Sequence, residues 1–357
     1  MVQPSSLPSL DSRKATVLRA VVREYVRAGQ PVGSRTLSER YRLKVSAATI
    51  RNDMAVLEEL GFISQPHTSA GRIPTDLGYR WFLDNWPGVK WPELPTAEQQ
   101  AISAIGRVEY AGLDEALRSA SQVLSDVTDA TAVVAGPPTQ KNRLRRLELL
   151  QRPDGRATLL LIADTGVVKQ GVTDVPAGLG ADQLEDMGRQ LSGALEGVSF
   201  DKLASQMVDE DEDESAKASK RKELKRSVAK EVTRIIQSSS EERIYRGGTA
   251  HILSPDKFQD IQTAHNVVEA LESPPLLGEL LDRARQSPAV LVFIGREVPI
   301  EEMQACAVVF SPYEVDHETV GSLGVIGPTR MDYPHTISAV AAAARSLSKL
   351  LEDEERG

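Results

Sequence analysis

Five small or polar residues lie close together between positions 46 and 52, and their side chains are suited to contact with nucleic acid. They are Ser46, Ala48, Thr49, Arg51 and Asn52. A guanidinium group binds a phosphate or pairs with guanine, and a carboxamide pairs with adenine through two hydrogen bonds. Small neighbours let a helix approach the major groove closely. The segment therefore predicts a helix surface that reads DNA.

The helix that carries these residues is predicted from the apolar spacing of the same segment. Ser46 is the expected N-cap, because its hydroxyl can accept a hydrogen bond from a free amide of the first turn. Gly61 provides the left-handed residue at which the helix stops. The opposite face is apolar and consists of Ala47, Ile50, Met54, Leu57 and Leu60. One face is therefore predicted to be buried and the other to be free.

A shorter helix is predicted just before it, starting after Gly33 and capped by Ser34 or Thr36. The turn between the two helices is brief, at residues 43–45. Two helices joined in this way predict a helix-turn-helix. Ser34 and Arg35, at the start of the first helix, are added to the candidate DNA contacts.

A β-hairpin is predicted after the second helix. Residues 62–65 have the pattern of a strand, residues 66–71 form a loop, and the chain returns at Arg72. His67, Thr68, Ser69 and Arg72 are expected to contact the sugar-phosphate backbone or the minor groove, where they position the protein on the duplex. Two-helix patterns also occur in helical proteins that do not bind DNA, and the hairpin is what favours DNA binding here.

Motifs typical of enzymes are weak in this chain. Gly321, Gly324 and Gly327 have the wrong spacing for a dinucleotide fingerprint and lie in an apolar strand and turn. The five histidines are not paired at metal-ligand spacing. The triplet 316–318 (Asp-His-Glu) has the character of a polar turn. We therefore predict no catalytic activity, no cofactor and no metal.

The composition predicts two or three domains and an uneven charge. The 357 residues are 41% hydrophobic and carry a net charge of −9. Residues 1–90 contain 13 Lys and Arg against 8 Asp and Glu, a balance of +5, which leaves −14 for the rest. A basic N-terminal part supplies attraction to phosphate. The absence of an apolar run or a secretory signal, and the single Cys306, expected to be buried, favour a cytoplasmic protein.

The remainder of the chain predicts further helices and antiparallel strands. A Pro-rich linker at 86–95 follows the hairpin and a short helix. Residues 144–173 form three strands joined by short turns, which predicts an antiparallel meander. The early strand at 130–135 and strands near 289–294, 305–311 and 321–326 are expected to share one sheet, interrupted by the segment between them.

A basic stretch after an acidic run at 209–214 contains an apolar stripe at helical spacing. A narrow stripe of this kind favours a helix that packs on a partner, with its basic residues facing water. We expect these residues to form a dimer interface: Leu224, Val228, Val232 and Ile235.

Several segments closely resemble the HrcA-type heat-inducible transcription repressors. The resemblance is carried by GSR at 33–35, SAATIRNDM at 46–54, LEELG at 57–61, PHTSAGRIPT at 66–75, FIGRE at 293–297 and VGSLGVIGPTRMDYPHTISAV at 320–340. It implies an α+β fold with an N-terminal winged helix-turn-helix domain (1–90) and a GAF-like α/β domain (91–140 and 247–357). It also implies an inserted dimerisation domain (141–246) with a three-stranded antiparallel sheet and helices.

The same resemblance implies partners and a mode of action. The expected partners are double-stranded DNA with the CIRCE inverted repeat of chaperone operons, a second copy of the chain, and a chaperonin that keeps the repressor active. Repression would be lost on heating. A ligand-gated regulator is the alternative, with a pocket under residues 290–294 and 308–309, by analogy with GAF-like domains that bind small molecules.

Overall fold

A computed structural model of the protein describes residues 8–41, 43–67, 70–88, 90–107, 110, 112–137, 142–164, 167–207, 216–238, 243–252, 261–316 and 318–356. The fold is α+β, with helices and three antiparallel sheets. This confirms the predicted class and the predicted three-stranded sheet. None of the helices in these ranges is long and apolar enough to span a membrane.

The N-terminal unit (residues 8–88) consists of four helices and a two-stranded antiparallel sheet. Its elements are α1 (Ser12–Ala28), α2 (Ser34–Arg40), α3 (Ala47–Glu59), β1 (Ile63–Ser64), β2 (Ile73–Pro74) and α4 (Asp76–Asp84). Asp11 is the N-cap of α1, because its side chain accepts from the Lys14 amide.

The body (residues 90–137 and 243–356) begins with α5 (Thr96–Ile105), α6 (Leu113–Thr128) and β3 (Thr131–Ala135). The bounds of β3 agree with the strand predicted at 130–135. All five residues of β3 are buried, so this strand lies inside the fold although it is the first of its sheet along the chain. The chain then leaves the body for about a hundred residues.

The insert (residues 142–238) consists of the predicted meander and three helices. Its elements are β4 (Leu144–Gln151), β5 (Arg156–Ala163), β6 (Val168–Asp174), α7 (Ala181–Leu195), α8 (Phe200–Gln206) and α9 (Ala216–Ser238). The helices cover one face of the sheet and share with it a separate apolar core. The seven-residue α8 was not predicted, and the acidic run at 209–214 lies outside the described residues.

The structure corrects the predicted dimer interface. Leu224, Val228 and Val232 are 0% exposed and Ile235 is 4% exposed, and all four belong to the core of the insert. The helix α9 packs on the edge strand β6 of the same chain. Spacing predicts that a stripe is buried, but it does not tell whether the covering surface comes from the same chain or a second one.

The body continues with β7 (Ile244–Gly247), α10 (Thr249–Ile252), α11 (Ile261–Glu272), α12 (Pro274–Arg285), β8 (Leu291–Ile294), 3-10 turns at Gly295–Glu297 and Glu301–Met303, β9 (Cys306–Val315), β10 (Glu318–Pro328) and α13 (Tyr333–Arg356). Positions 253–260, before α11, lie outside the described residues. All neighbouring strands of the five-stranded sheet are antiparallel, in the order β7-β3-β10-β9-β8.

Two features of this sheet bear on the predictions. The strands on either side of the insert do form one sheet, as expected. Because β7 pairs with β3, residues 244–246 belong to the body, and the predicted end of the insert at 246 is too late.

Cys306 is fully buried, as expected, and burial raises the pKa of its thiol to about 12.

The sheet of the body is covered on both faces. On one face the core is continuous with that of the N-terminal unit and includes side chains of α5, α6 and α13. On the other face, side chains of α11 and α12 pack against alternate residues of the same strands. Alternation along a strand sends successive side chains to opposite faces, which explains why the nearly continuous apolar run at 306–311 of β9 is buried.

Candidate nucleic-acid interface

The orientation of α3 is set by its buried face. Ile50 and Leu57 are fully buried, and Met54 lies beside them in the core of the N-terminal unit. The Ser46 hydroxyl accepts a hydrogen bond from the Thr49 amide at 3.2 Å, so the predicted cap is confirmed. The stop is also confirmed, since Gly61 has a φ of 79°. These contacts fix both ends of the helix and its rotation about its axis.

An ion pair that the sequence did not reveal adds to this orientation. Asp53 is buried on the inner side of α3, and its two carboxylate oxygens accept from Arg13 of α1 at 2.7 and 2.9 Å. The two-point geometry is the strong form of an arginine–carboxylate contact. The sequence signal for this pair is an acidic residue, Asp53, within the apolar stripe of α3.

The opposite side of α3 is open to solvent. Ser46, Ala48, Arg51 and Asn52 are exposed, and Thr49 is partly exposed. Within the described part of the chain, the Arg51 and Asn52 side chains make no hydrogen bond or ion pair. A guanidinium and a carboxamide are therefore held beside each other on a rigid helix, with their hydrogen-bonding groups available.

The two candidates on α2 differ in their surroundings. Arg35 is exposed and pairs with Glu39 one turn later, at 2.8 Å. Ser34 is buried, at 8% exposure, which removes its hydroxyl from easy contact with a duplex. The N-cap of α2 is Gly33 and makes no side-chain capping bond, so the expectation that Ser34 or Thr36 caps this helix is wrong.

The hairpin after α3 is joined to the segment between α1 and α2. The amide of Arg72 donates to the Val32 carbonyl at 2.9 Å, and the Val32 amide donates to the Arg72 carbonyl at 2.8 Å. A Cβ atom at Gly71 would lie 2.5 Å from the Val32 backbone. Glycine is therefore required for this close approach, which the sequence did not predict.

The hairpin residues predicted to contact DNA are only partly described. His67 is exposed in the loop, whereas Thr68 and Ser69 lie outside the described residues. Arg72 is directed to α3, where its guanidinium pairs with Glu58 at 2.8–2.9 Å. Both partners remain partly exposed. A phosphate contact by Arg72 would therefore compete with Glu58 or extend this pair.

Comparison with known proteins gives the family of the chain. Residues 114–337 match the model of the HrcA protein C-terminal domain. A heat-inducible transcription repressor HrcA of Pelotomaculum thermopropionicum is 34% identical, and the alignment covers 98% of this chain and 99% of that protein. The protein of the same name from Streptomyces albus G is 40% identical, with coverage of 96% and 99%. The chain therefore belongs to the HrcA family.

A solved structure supports the fold over nearly the same length. The crystal structure of a hypothetical protein at 2.2 Å resolution is 25% identical, with a TM-score of 0.66, and covers 97% of this chain and 100% of that one. The family match spans the insert and most of the body, and the full-length relatives extend the likeness through the N-terminal unit.

We predict that Gly71→Ala lowers the stability of the protein by about 1–3 kcal/mol, because the added methyl group must displace the backbone at Val32. Gly193→Ala is a matched control on an exposed turn of α7, where a Cβ atom meets no neighbour within 4 Å. That change should raise stability by about 0.5–1 kcal/mol. Denaturant unfolding measures both, and equal effects of the two changes would contradict the predicted close approach.

Proposed function

We propose that the protein is a heat-inducible transcription repressor that binds the CIRCE inverted repeat of chaperone operons as a dimer and releases it on heating. A chaperonin is the proposed modulator of its activity. Promoter occupancy is the mechanism, and no bond is made or broken. The observation that carries the proposal is the free outer face of α3, where Arg51 and Asn52 are exposed beside small residues.

The N-terminal unit supports the reading of this face as a DNA-recognition surface. A short helix, a turn and α3 are followed by a hairpin that pairs with the segment before α2, and this order of elements supports a winged helix-turn-helix. In such a domain the second helix enters the major groove and the hairpin lies on the backbone beside it. The remaining units would then be a GAF-like body and an inserted dimerisation domain.

The proposal predicts a specific effect of the two polar residues on α3. Arg51→Ala and Asn52→Ala should each weaken binding to a CIRCE duplex by about 1–3 kcal/mol, because each removes hydrogen bonds to a base edge. Fluorescence anisotropy at fixed salt measures this loss against a scrambled duplex. Arg189→Ala, at an exposed arginine of α7, is the control and should bind as the unchanged protein does. An equal loss on both duplexes would make the two residues phosphate contacts.

A second prediction concerns the ion pair between Arg72 and Glu58. Arg72→Ala should weaken binding to all duplexes alike and reduce the salt dependence by about one unit of slope, because one phosphate contact is lost. Glu58→Gln should tighten binding on every duplex, since it removes the carboxylate that competes for the guanidinium. The measurement is a titration over a series of salt concentrations. An unchanged slope in Arg72→Ala would argue against contact between the hairpin and the backbone.

A different surface of the insert supports dimerisation now that the α9 stripe is excluded. The outer face of the three-stranded sheet has no helix on it within the described chain and carries apolar residues on all three strands, beside the Arg146–Glu148 pair of β4 and Gln170 of β6. Leu150 and Val168 are 49% and 54% exposed. Leu160, Ile162 and Val172 are partly exposed on the same face by strand register. An outer sheet face is usually polar, so a second copy, packed face to face about a two-fold axis, is the proposed cover.

We predict that Leu160→Asp combined with Ile162→Asp produces monomers in sedimentation, because two buried charges would oppose the face-to-face contact. The folded core should be retained, since neither side chain lies on its inner face. Operator affinity should fall about 100-fold or more as two-site binding is lost. Ile261→Asp, at an apolar residue of the body that is 89% exposed, is the control and should remain dimeric. Dimers that persist in the double variant would move the interface elsewhere.

The ligand-gated alternative receives less support. Its expected pocket lay under residues 290–294 and 308–309. Val308 and Val309 are both fully buried, and each belongs to a packed apolar core on its own side of the sheet. A small molecule would have to displace these side chains to bind there.

A further inference from the structure

The N-terminal unit is attached to the body by a polar contact that none of the DNA-contact predictions uses. Arg80 lies on α4, and its Nε donates to Glu297 Oε1 at 2.8 Å. The Nη2 group of the same guanidinium donates to the second oxygen of Glu297 and, at 2.7 Å, to the carbonyl of Val292. The partners are more than two hundred positions apart in sequence, and they bring the last helix of one unit onto the other.

This contact is made at the outer edge of the five-stranded sheet. The strand β8 is the last in the order and pairs on one side only. Its Val292 carbonyl accepts from Arg80, and its Ile294 amide donates to Glu297 at 3.0 Å. Unpaired edge groups need partners, and here the arginine–glutamate pair provides them. Glu297 thus accepts hydrogen bonds from both the N-terminal unit and the sheet.

A second contact lies one turn earlier on α4. The Asp76 carboxylate accepts from the Arg296 amide at 3.2 Å, and burial raises the pKa of this carboxyl group. A Cβ atom at Gly295 would be 2.0 Å from Asp76 Oδ2, so the two surfaces meet closely. Together, the two contacts attach the first two turns of one face of α4 to residues 292–297. Rotation of α4 about either contact is opposed by the other.

We propose that Arg80 and Glu297 are positioning residues that hold the N-terminal unit in one orientation on the body, so that the dimer accepts one spacing of operator half-sites. The inference rests on the proposed function. Neither residue touches DNA in this account. They act through the direction in which α3 is presented, since α3 and α4 belong to one packed unit.

The physical reason is the dependence of two-site binding on geometry. The second α3 of a dimer binds with an effective concentration that is highest when its position matches the second half-site. A rigid attachment holds the N-terminal unit at the position of the second half-site. Binding to operators of the matching half-site spacing is then favoured over binding to other spacings. A loosened attachment spreads the unit over many positions. Affinity for the matching operator then falls, while affinity for an isolated half-site is unaffected.

The test compares full-length wild type with Arg80→Met, Glu297→Gln and the double variant. The probes are the CIRCE duplex, the same duplex with its half-sites moved apart by about half a helical turn, a single half-site and a scrambled duplex. Arg283→Met is the control, because it removes a guanidinium–carboxylate pair that lies within α12 of the body. Sedimentation and thermal unfolding check that all variants remain folded dimers.

We expect affinity for the CIRCE duplex to fall on the order of tenfold in the Arg80 and Glu297 variants. Affinity for the single half-site should be unchanged. The ratio of the affinity for the native spacing to the affinity for the altered spacing should therefore fall. The double variant should lose no more affinity than either single variant. The positioning role would be overturned if the variants kept the wild-type ratio of affinities for the two spacings. It would also be overturned if they lost as much affinity for the single half-site as for the CIRCE duplex. Wild type that binds CIRCE and scrambled duplexes alike would instead overturn the proposed function.

Discussion

The rotation of α3 about its axis is the constraint on which the rest of the structure depends. Ile50 and Leu57 bury one side of the helix, and the Arg13–Asp53 ion pair ties that side to α1. With the inner face fixed, Arg51 and Asn52 can only face outward. A DNA-reading side chain on a loosely held helix would lose its geometry with respect to the bases. The apolar core and the buried carboxylate thus determine what the exposed face can contact.

In the proposed dimer, the body and the insert would extend this constraint from one α3 helix to two. The five-stranded sheet is continuous although its strands come from both sides of the insert. Its edge strand β8 is attached to α4 through the Arg80–Glu297 pair. The insert presents exposed apolar residues on the sheet face that points away from its own helices. A chain with these features can place two copies of α3 at a defined separation. In the proposed dimer, this would link the contact between the two copies to the choice of operator spacing.

Local chemistry made much of this predictable from the sequence. The cap at Ser46, the stop at Gly61 and the meander of the insert follow from turn residues and apolar spacing. Contacts between distant segments were not predictable in this way. The Arg13–Asp53 pair, the backbone pairing of Val32 and the cover of the α9 stripe depend on which surfaces meet. The spacing of apolar residues indicates that a residue is buried, but only the fold shows which surface covers it.

The most direct test of the account is an anisotropy titration of the dimer on a CIRCE duplex and on a scrambled duplex of the same composition. Both are measured at one salt concentration, before and after a heat step, with and without a chaperonin. We expect strong preference for the inverted repeat before heating and loss of this preference afterwards. Equal binding of the two duplexes before heating, with the chaperonin present, would contradict it.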